Sequence, residues 1–209
     1  MLNITKTSVG AFGTNCYIVN SKTLEALIID PGADSNTISK IVSNLQLTVR
    51  AYLITHGHMD HISALAPLWH QMQAPVAMHS ADIKWAFSPA NQMPPYFSTP
   101  RRPDNIAHII KGGEKLQEKD FNYEIITTPG HSPGGVSYYF PDDNILFSGD
   151  TLFQDSIGRT DLPGGNMEQL NKSLERLVKL PPETKVYPGH GPETTIAREI
   201  EYNPFLKGI

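Results

Sequence analysis

Three histidines and an aspartate crowd the segment His56-Gly57-His58-Met59-Asp60-His61, which directly follows the apolar run Ala51–Ile54 and directly precedes residues with helical spacing. Ionisable groups this dense beside an apolar strand are costly unless something pairs them. A fold that accepts the segment must therefore place it where a buried strand ends and a helix begins. In extended backbone His56 and His58 point to one side, while Asp60 and His61, at a helix start, turn toward a second point nearby. The segment alone offers donors to two adjacent cations.

Three further residues stand in the same context. His131 follows Ile125-Ile126-Thr127-Thr128-Pro129-Gly130, Asp150 follows Ile145-Leu146-Phe147-Ser148-Gly149, and His190 follows Lys185-Val186-Tyr187-Pro188-Gly189. In each case a glycine near the strand end permits a sharp turn and a close approach to a ligand. A lone strand-end histidine is ordinarily a surface or satisfied core residue. Four strands that deliver His56, His58, His61, His131, His190, Asp60 and Asp150 to one sheet edge instead meet a metal site's need for nitrogen and oxygen donors. His70, His79 and His108 lack this setting and read as structural or surface residues.

Short apolar runs between turn clusters predict strands at Cys16–Val19, Ala26–Ile29, Ala51–Ile54, Val76–Met78, Tyr123–Ile126, Val136–Phe140, Ile145–Phe147 and Lys185–Tyr187, many of them buried on both faces. Helical spacing links Ile38, Ile41, Val42 and Leu45; Ile62, Leu65, Ala66 and Trp69; and Leu170, Leu174, Leu177 and Val178. The last of these has Asn166 as a cap, Gln169 three residues on, and Pro181-Pro182 to close it; a weaker helix spans about 195–202. Strands and helices mix without regular alternation, so an α/β chain with sheets covered by helices fits best. Ser88–Pro103, rich in proline, is a loop.

With 209 residues, 39% of them hydrophobic, and a net charge of -4, the composition argues for one globular domain over 1–209 and against disorder or a dominant nucleic-acid role. Cys16 is the one cysteine, which excludes an internal disulfide and a thiolate cluster; in its apolar run it reads as a small core residue. The start of the chain lacks a secretion signal pattern, and no apolar run reaches the ~18 residues of a membrane span, so a cytoplasmic location with no membrane partner is expected.

The order His-x-His-x-Asp-His, distant His, Gly-Asp-Thr and Gly-His resembles the metal-binding pattern of the metallo-β-lactamase superfamily, over nearly the whole chain. Thr14-Asn15-Cys16-Tyr17, Ile29-Asp30-Pro31-Gly32 and Gly149-Asp150-Thr151-Leu152-Phe153 resemble its glyoxalase II branch more specifically. The resemblance implies a four-layer αββα sandwich and a dinuclear site. His56, His58 and His131 would hold the first metal, Asp60, His61 and His190 the second, and Asp150 would bridge them. Asp30 would be a residue supporting this site or stabilising its own turn. Two Zn²⁺ are expected, with iron or manganese as alternatives, and a water of lowered pKa, oriented by Asp60, would attack an acyl carbon.

The implied substrate is a small hydroxyacyl thioester of the S-lactoylglutathione kind. The chain ends about twenty residues after His190, without the helical glutathione-binding region of long glyoxalase II enzymes. The family's glutathione-contact segment falls on Gly158-Arg159-Thr160-Asp161, which leaves Arg159 as a candidate anion-binding residue or a salt-bridge partner of Asp155 or Asp161. Tyr96, Phe97, Arg101 and Arg102 in the proline-rich loop are candidates for substrate choice. Rival readings are a mononuclear iron persulfide dioxygenase using His56, His131 and Asp150, a β-lactamase, a phosphodiesterase, and a non-enzymatic metal-binding module. The residues leave oligomeric state open.

Overall fold

Period-two alternation with apolar residues on both sides decides the architecture. In the computed structural model, which describes residues 1–208 and only the backbone at 117 and 118, the first sheet runs β1 (Asn3–Val9), β2 (Thr14–Asn20), β3 (Glu25–Ile29), β4 (Thr48–Leu53), β5 (Val76–His79) and β6 (His108–Ile110). The first three strands pair antiparallel and β3 through β6 pair parallel. Along β2, Cys16 and Ile18 join one core and Tyr17 and Val19 another; Ile28 and Leu27 divide likewise on β3, as do Tyr52 and Leu53 on β4. A strand buried on both faces needs this near-continuous apolar run.

On the outer face Cys16, Ile18, Ile28 and Tyr52 meet Ile38 and Val42 of α1 (Ser35–Asn44) and Leu65 and Leu68. The helix expected around Ile62 to Trp69 is two pieces, α2 (Met59–Ile62) and α3 (Leu65–Gln71). It breaks because the Ala64 amide leaves the helix to bond Pro31 O at 3.0 Å and Pro67 has no amide to donate. A further helix, α4 (Ser80–Ala86), follows β5 with the His79 ring accepting from Ala81 N at its start.

The second sheet consists of β7 (Lys115–Glu118), β8 (Phe121–Thr127), β9 (Val136–Phe140) and β10 (Ile145–Gly149), all antiparallel. After a ribbon of β11 (Leu152–Phe153) and β12 (Ser156–Ile157), β13 (Lys185–Pro188) adds parallel to β10, with β14 (Thr194–Thr195) at its edge. Its inner face sets Tyr123, Tyr138 and Phe147 against Tyr17, Leu27 and Leu53 of the first sheet. Its outer face sets Tyr139, Leu146 and Val186 under Leu170, Leu174 and Leu177 of α5 (Met167–Leu177) and Ile196 of α6 (Ile196–Tyr202). The layers are therefore helix, sheet, sheet, helix, as expected.

β1, β6, β7 and the short β11, β12 and β14 were not legible as apolar runs: β1 is a polar, half-exposed edge strand, β7 has the polar sequence Lys-Leu-Gln-Glu, and the last three have two residues each. Cys16 is buried and free, and burial pushes its thiol up, out of reach of ionisation. Among the described residues no helix is long and apolar enough to cross a membrane.

Candidate metal centre

β4, β8, β10 and β13 all end at the same edge of the sandwich, and each leads into a short polar segment carrying the expected side chains. The structure brings all seven together. Donor atoms of His56, His58 and His131 lie within 4.8 Å of one another, as do those of Asp60, His61 and His190. Within the first group His58 Nδ1 is 2.9 Å from His131 Nε2; within the second His61 Nε2 is 3.3 Å from His190 Nε2 and Asp60 Oδ2 is 3.2 Å from His190 Nε2. Asp150 stands between the groups, with Oδ1 3.5 Å from His61 Nε2 and Oδ2 3.5 Å from His131 Nε2 and 3.6 Å from His190 Nε2. The close approach requires Gly189, since a Cβ there would lie 2.1 Å from Asp150 Oδ1.

Several ring nitrogens on the far side are already committed. Asp30, at 2% exposure, takes Thr55 N (2.8 Å) on Oδ1, and Thr55 Oγ1 (2.5 Å) and His61 Nδ1 (3.0 Å) on Oδ2. His131 Nδ1 donates to Arg159 O at 2.8 Å, and His56 Nδ1 faces Thr55 Oγ1 at 3.0 Å. This leaves the Nε2 atoms of all three rings facing the centre. Asp30 thus settles as the residue that orients His61: it also falls within metal-binding distance of His56 and His61, but both its oxygens are engaged.

Two buried atoms here, His56 Nε2 and Asp150 Oδ1, have no hydrogen-bond partner. Leaving such groups unsatisfied costs about 1–3 kcal/mol each, and a cation is the partner that an imidazole nitrogen and a carboxylate oxygen can share. The residues present fit the metals that the motif implies.

Electrostatics separate the two groups. Burial, then His61, pushes His56 well below the usual histidine range, and burial with His131 lowers His58 to about 4, so both rings are neutral and ligand-competent at neutral pH. Burial works against the charges of Asp60 and Asp150, but His61 and His190 outweigh it and hold both carboxyls below their ordinary range. Burial likewise opposes charge on His61 and His190, and the same two carboxylates overcome it and raise both.

Two supporting residues gave no sequence signal. The Asp82 carboxylate, fully buried on α4, accepts from Gly57 N (2.8 Å), Ser132 Oγ (2.7 Å) and Gly134 N (2.6 Å), and so ties the His56–His61 segment to the His131 loop. Asn91, buried in the proline-rich loop, donates to Gly57 O (2.7 Å) and accepts from Met59 N (3.1 Å). Both sit in ordinary-looking polar positions, and only the packing of distant segments brings them to the His56–His61 segment. Thr14 and Asn15 serve the same edge from β2: Thr14 Oγ1 donates to Asp60 Oδ2 (2.9 Å), and Asn15 Nδ2 to Pro188 O and Gly191 O (2.9 Å each) beside His190.

The seven side chains lie at and beneath the floor of a cleft of about 360 Å³ that Phe12, Met93, Phe153, Ile157 and Leu162 also line. Arg159 lines it too, bound at 2.7 Å by both Nε and Nη2 to Asp161; Asp155 pairs with Arg198 instead. Of the proline-rich loop, Met93 reaches the cleft, whereas Tyr96 and Phe97 pack on Phe12 behind it and Arg101 and Arg102 are exposed outside it.

Residues 9–190 match the Metallo-beta-lactamase superfamily, and the chain belongs to that family. It is 41% identical to the probable metallo-hydrolase YqgX of Bacillus subtilis over 96% of each chain, and 34% identical to the hydroxyacylglutathione hydrolase GloC of Haemophilus influenzae over 98% of each. Among solved structures it is similar to the BLEG-1 B3 metallo-beta-lactamase (TM-score 0.93, 39% identity, 99% of this chain and 100% of that one). It is also similar to TTHA1623 in a di-iron-bound form (0.86, 36%, 97% and 100%) and to ETHE1 from Myxococcus xanthus (0.80, 29%, 99% and 85%).

Proposed function

We propose that this metal-dependent hydrolase cleaves small acyl thioesters, with hydroxyacyl thioesters such as S-lactoylglutathione the first to test. The observation that carries the reading is the pair of donor triads, His56–His58–His131 and Asp60–His61–His190, on either side of Asp150 at an open cleft. In this reading each triad holds one cation and Asp150 serves both. Zinc is the expected metal, with iron or manganese as alternatives; the di-iron form of a similar protein supports double occupancy. Bound there, the metals supply Lewis acidity and a water of lowered pKa, so the chain needs no serine or cysteine nucleophile.

The chain's own residues fix geometry and charge. Asp60, ionised and held by Thr14, accepts a hydrogen bond from the attacking water and aims it at the acyl carbon. Asp30 and the Arg159 carbonyl hold the His61 and His131 rings in one orientation. The apolar walls give the acyl group a surface to pack on beside the donors. A thioester suits such a site because its thiolate leaves without a strong general acid. Relatedness to GloC supports this substrate class.

The likeness to a B3 metallo-beta-lactamase favours one second reading, β-lactam hydrolysis by the same residues. The persulfide dioxygenase reading needs His56, His131 and Asp150 alone and leaves the complete second triad unexplained.

Elemental analysis of the purified protein, together with rates on S-lactoylglutathione, glutathione persulfide and a β-lactam, separates these. About two zinc ions per chain with thioester cleavage is expected, and Asp150→Ala or His58→Ala should remove both metal and activity. A single iron with oxygen consumption and sulfite, or β-lactam cleavage without thioester cleavage, overturns the proposal.

A further inference from the structure

The cleft has a polar floor and apolar walls, and the walls continue outward. Phe12, 38% exposed, and Met93, 42% exposed, line the cleft and also face solvent at its mouth. Phe12 is backed by the buried Phe97 (ring centroids 5.1 Å apart) and by Tyr96 (5.9 Å), which hold it in place at the cleft. An aromatic lip continuous with a site's interior is the usual mark of a ligand-contact surface.

The charge pattern points the same way. Arg159 is the Lys or Arg among the described residues lining the cleft, and its guanidinium fork is filled by Asp161, in a pair open to water. An anionic group on a substrate would find Nε and one Nη2 hydrogen already taken, and at the remaining donors it would lie beside the Asp161 charge. An uncharged apolar group meets Phe12 and Met93 with no such competition.

We infer that the thiol arm of the substrate leaves the cleft over the Phe12–Met93 lip and is uncharged and apolar, so that the site selects thioesters of an apolar thiol over those of an anionic carrier such as glutathione. The inference rests on the thioester reading and narrows its substrate class. Calorimetric titration of the metal-loaded protein with two non-hydrolysable analogues tests it: the 2-hydroxypropyl thioethers of benzyl mercaptan and of glutathione. These report on the cleft whether or not an ester is turned over.

The benzyl analogue should bind about ten-fold tighter or more, as expected for burying an aromatic ring on an apolar surface. Phe12→Ser and Met93→Ser should each narrow that ratio several-fold. Tighter binding of the glutathione analogue, lost in Arg159→Ala, overturns the inference, and so does a ratio that neither lip variant changes. Rates on the matching lactoyl thioesters, measured in parallel, bear on the hydrolase reading alone: if no ester is cleaved that reading falls, while the affinity ratio still decides which arm the lip accepts.

Discussion

Asp30 sits at φ 48°, a left-handed conformation that costs a non-glycine residue about 1–2 kcal/mol. Its three hydrogen bonds, to Thr55 N, Thr55 Oγ1 and His61 Nδ1, offset that cost and convert a turn residue into the holder of a proposed metal ligand. Asp30→Ala should lower zinc affinity by about 10–100-fold, read by competition with a chromogenic chelator; unchanged affinity would mean that His61 is oriented by something else. Gly189 makes the opposite contribution, by having no side chain. In Gly189→Ala the methyl group would meet Asp150 Oδ1 and His61 Cε1, the latter at 2.7 Å. Bound metal should fall sharply while the far-ultraviolet circular dichroism spectrum stays native. The seven donors were legible as residues because each lies just beyond an apolar strand; Asp82 and Asn91 were not, because the partners that tie them to the centre lie 25 to 52 residues away.

At the scale of elements, α5 links stability to the centre. Asn166, read from the sequence as a cap, accepts from Gln169 N at 2.9 Å, its own amide donates to Gly130 O at 2.7 Å, and Ser173 Oγ donates to Pro129 O at 2.7 Å. The start of the helix thereby clamps the turn that presents His131. Asn166→Ala should cost about 1 kcal/mol of stability, measured as a lower urea midpoint at unchanged slope. A variant as stable as the parent would show that the cap is replaced by water. Periodicity located this helix but not the break between α2 and α3, because the Pro31 carbonyl that takes the Ala64 amide belongs to another segment.

Across the whole molecule, the two sheets are joined at the edge away from the metal centre by Glu25, whose carboxylate on β3 binds Arg50 of β4 and, at 2.7 Å, Lys119 in the β7–β8 turn. Hydrogen bonds from Arg50 first, then Lys119, lower its carboxyl from the usual 4.5 to about 2. A depressed carboxyl contributes stability that is complete above the unfolded value and is lost as pH falls through the folded one. The stability gap between parent and Glu25→Gln, measured on metal-free protein, should therefore be constant above about pH 5 and narrow as pH falls toward 2. A gap that does not change with pH would show that the ion pairs contribute nothing.

The alternation of apolar side chains determined the four layers, since strands apolar on both faces have to be covered on both. The order of histidines and aspartates determined which side chains meet, since each lies just beyond a strand that ends at the same edge. Tertiary structure alone decided how these groups are held and what stands over them. Asp30 on His61, Asp82 between two loops and Phe12 against Tyr96 all join residues whose partnership depends on backbone direction at a distance, which no local pattern of residues specifies.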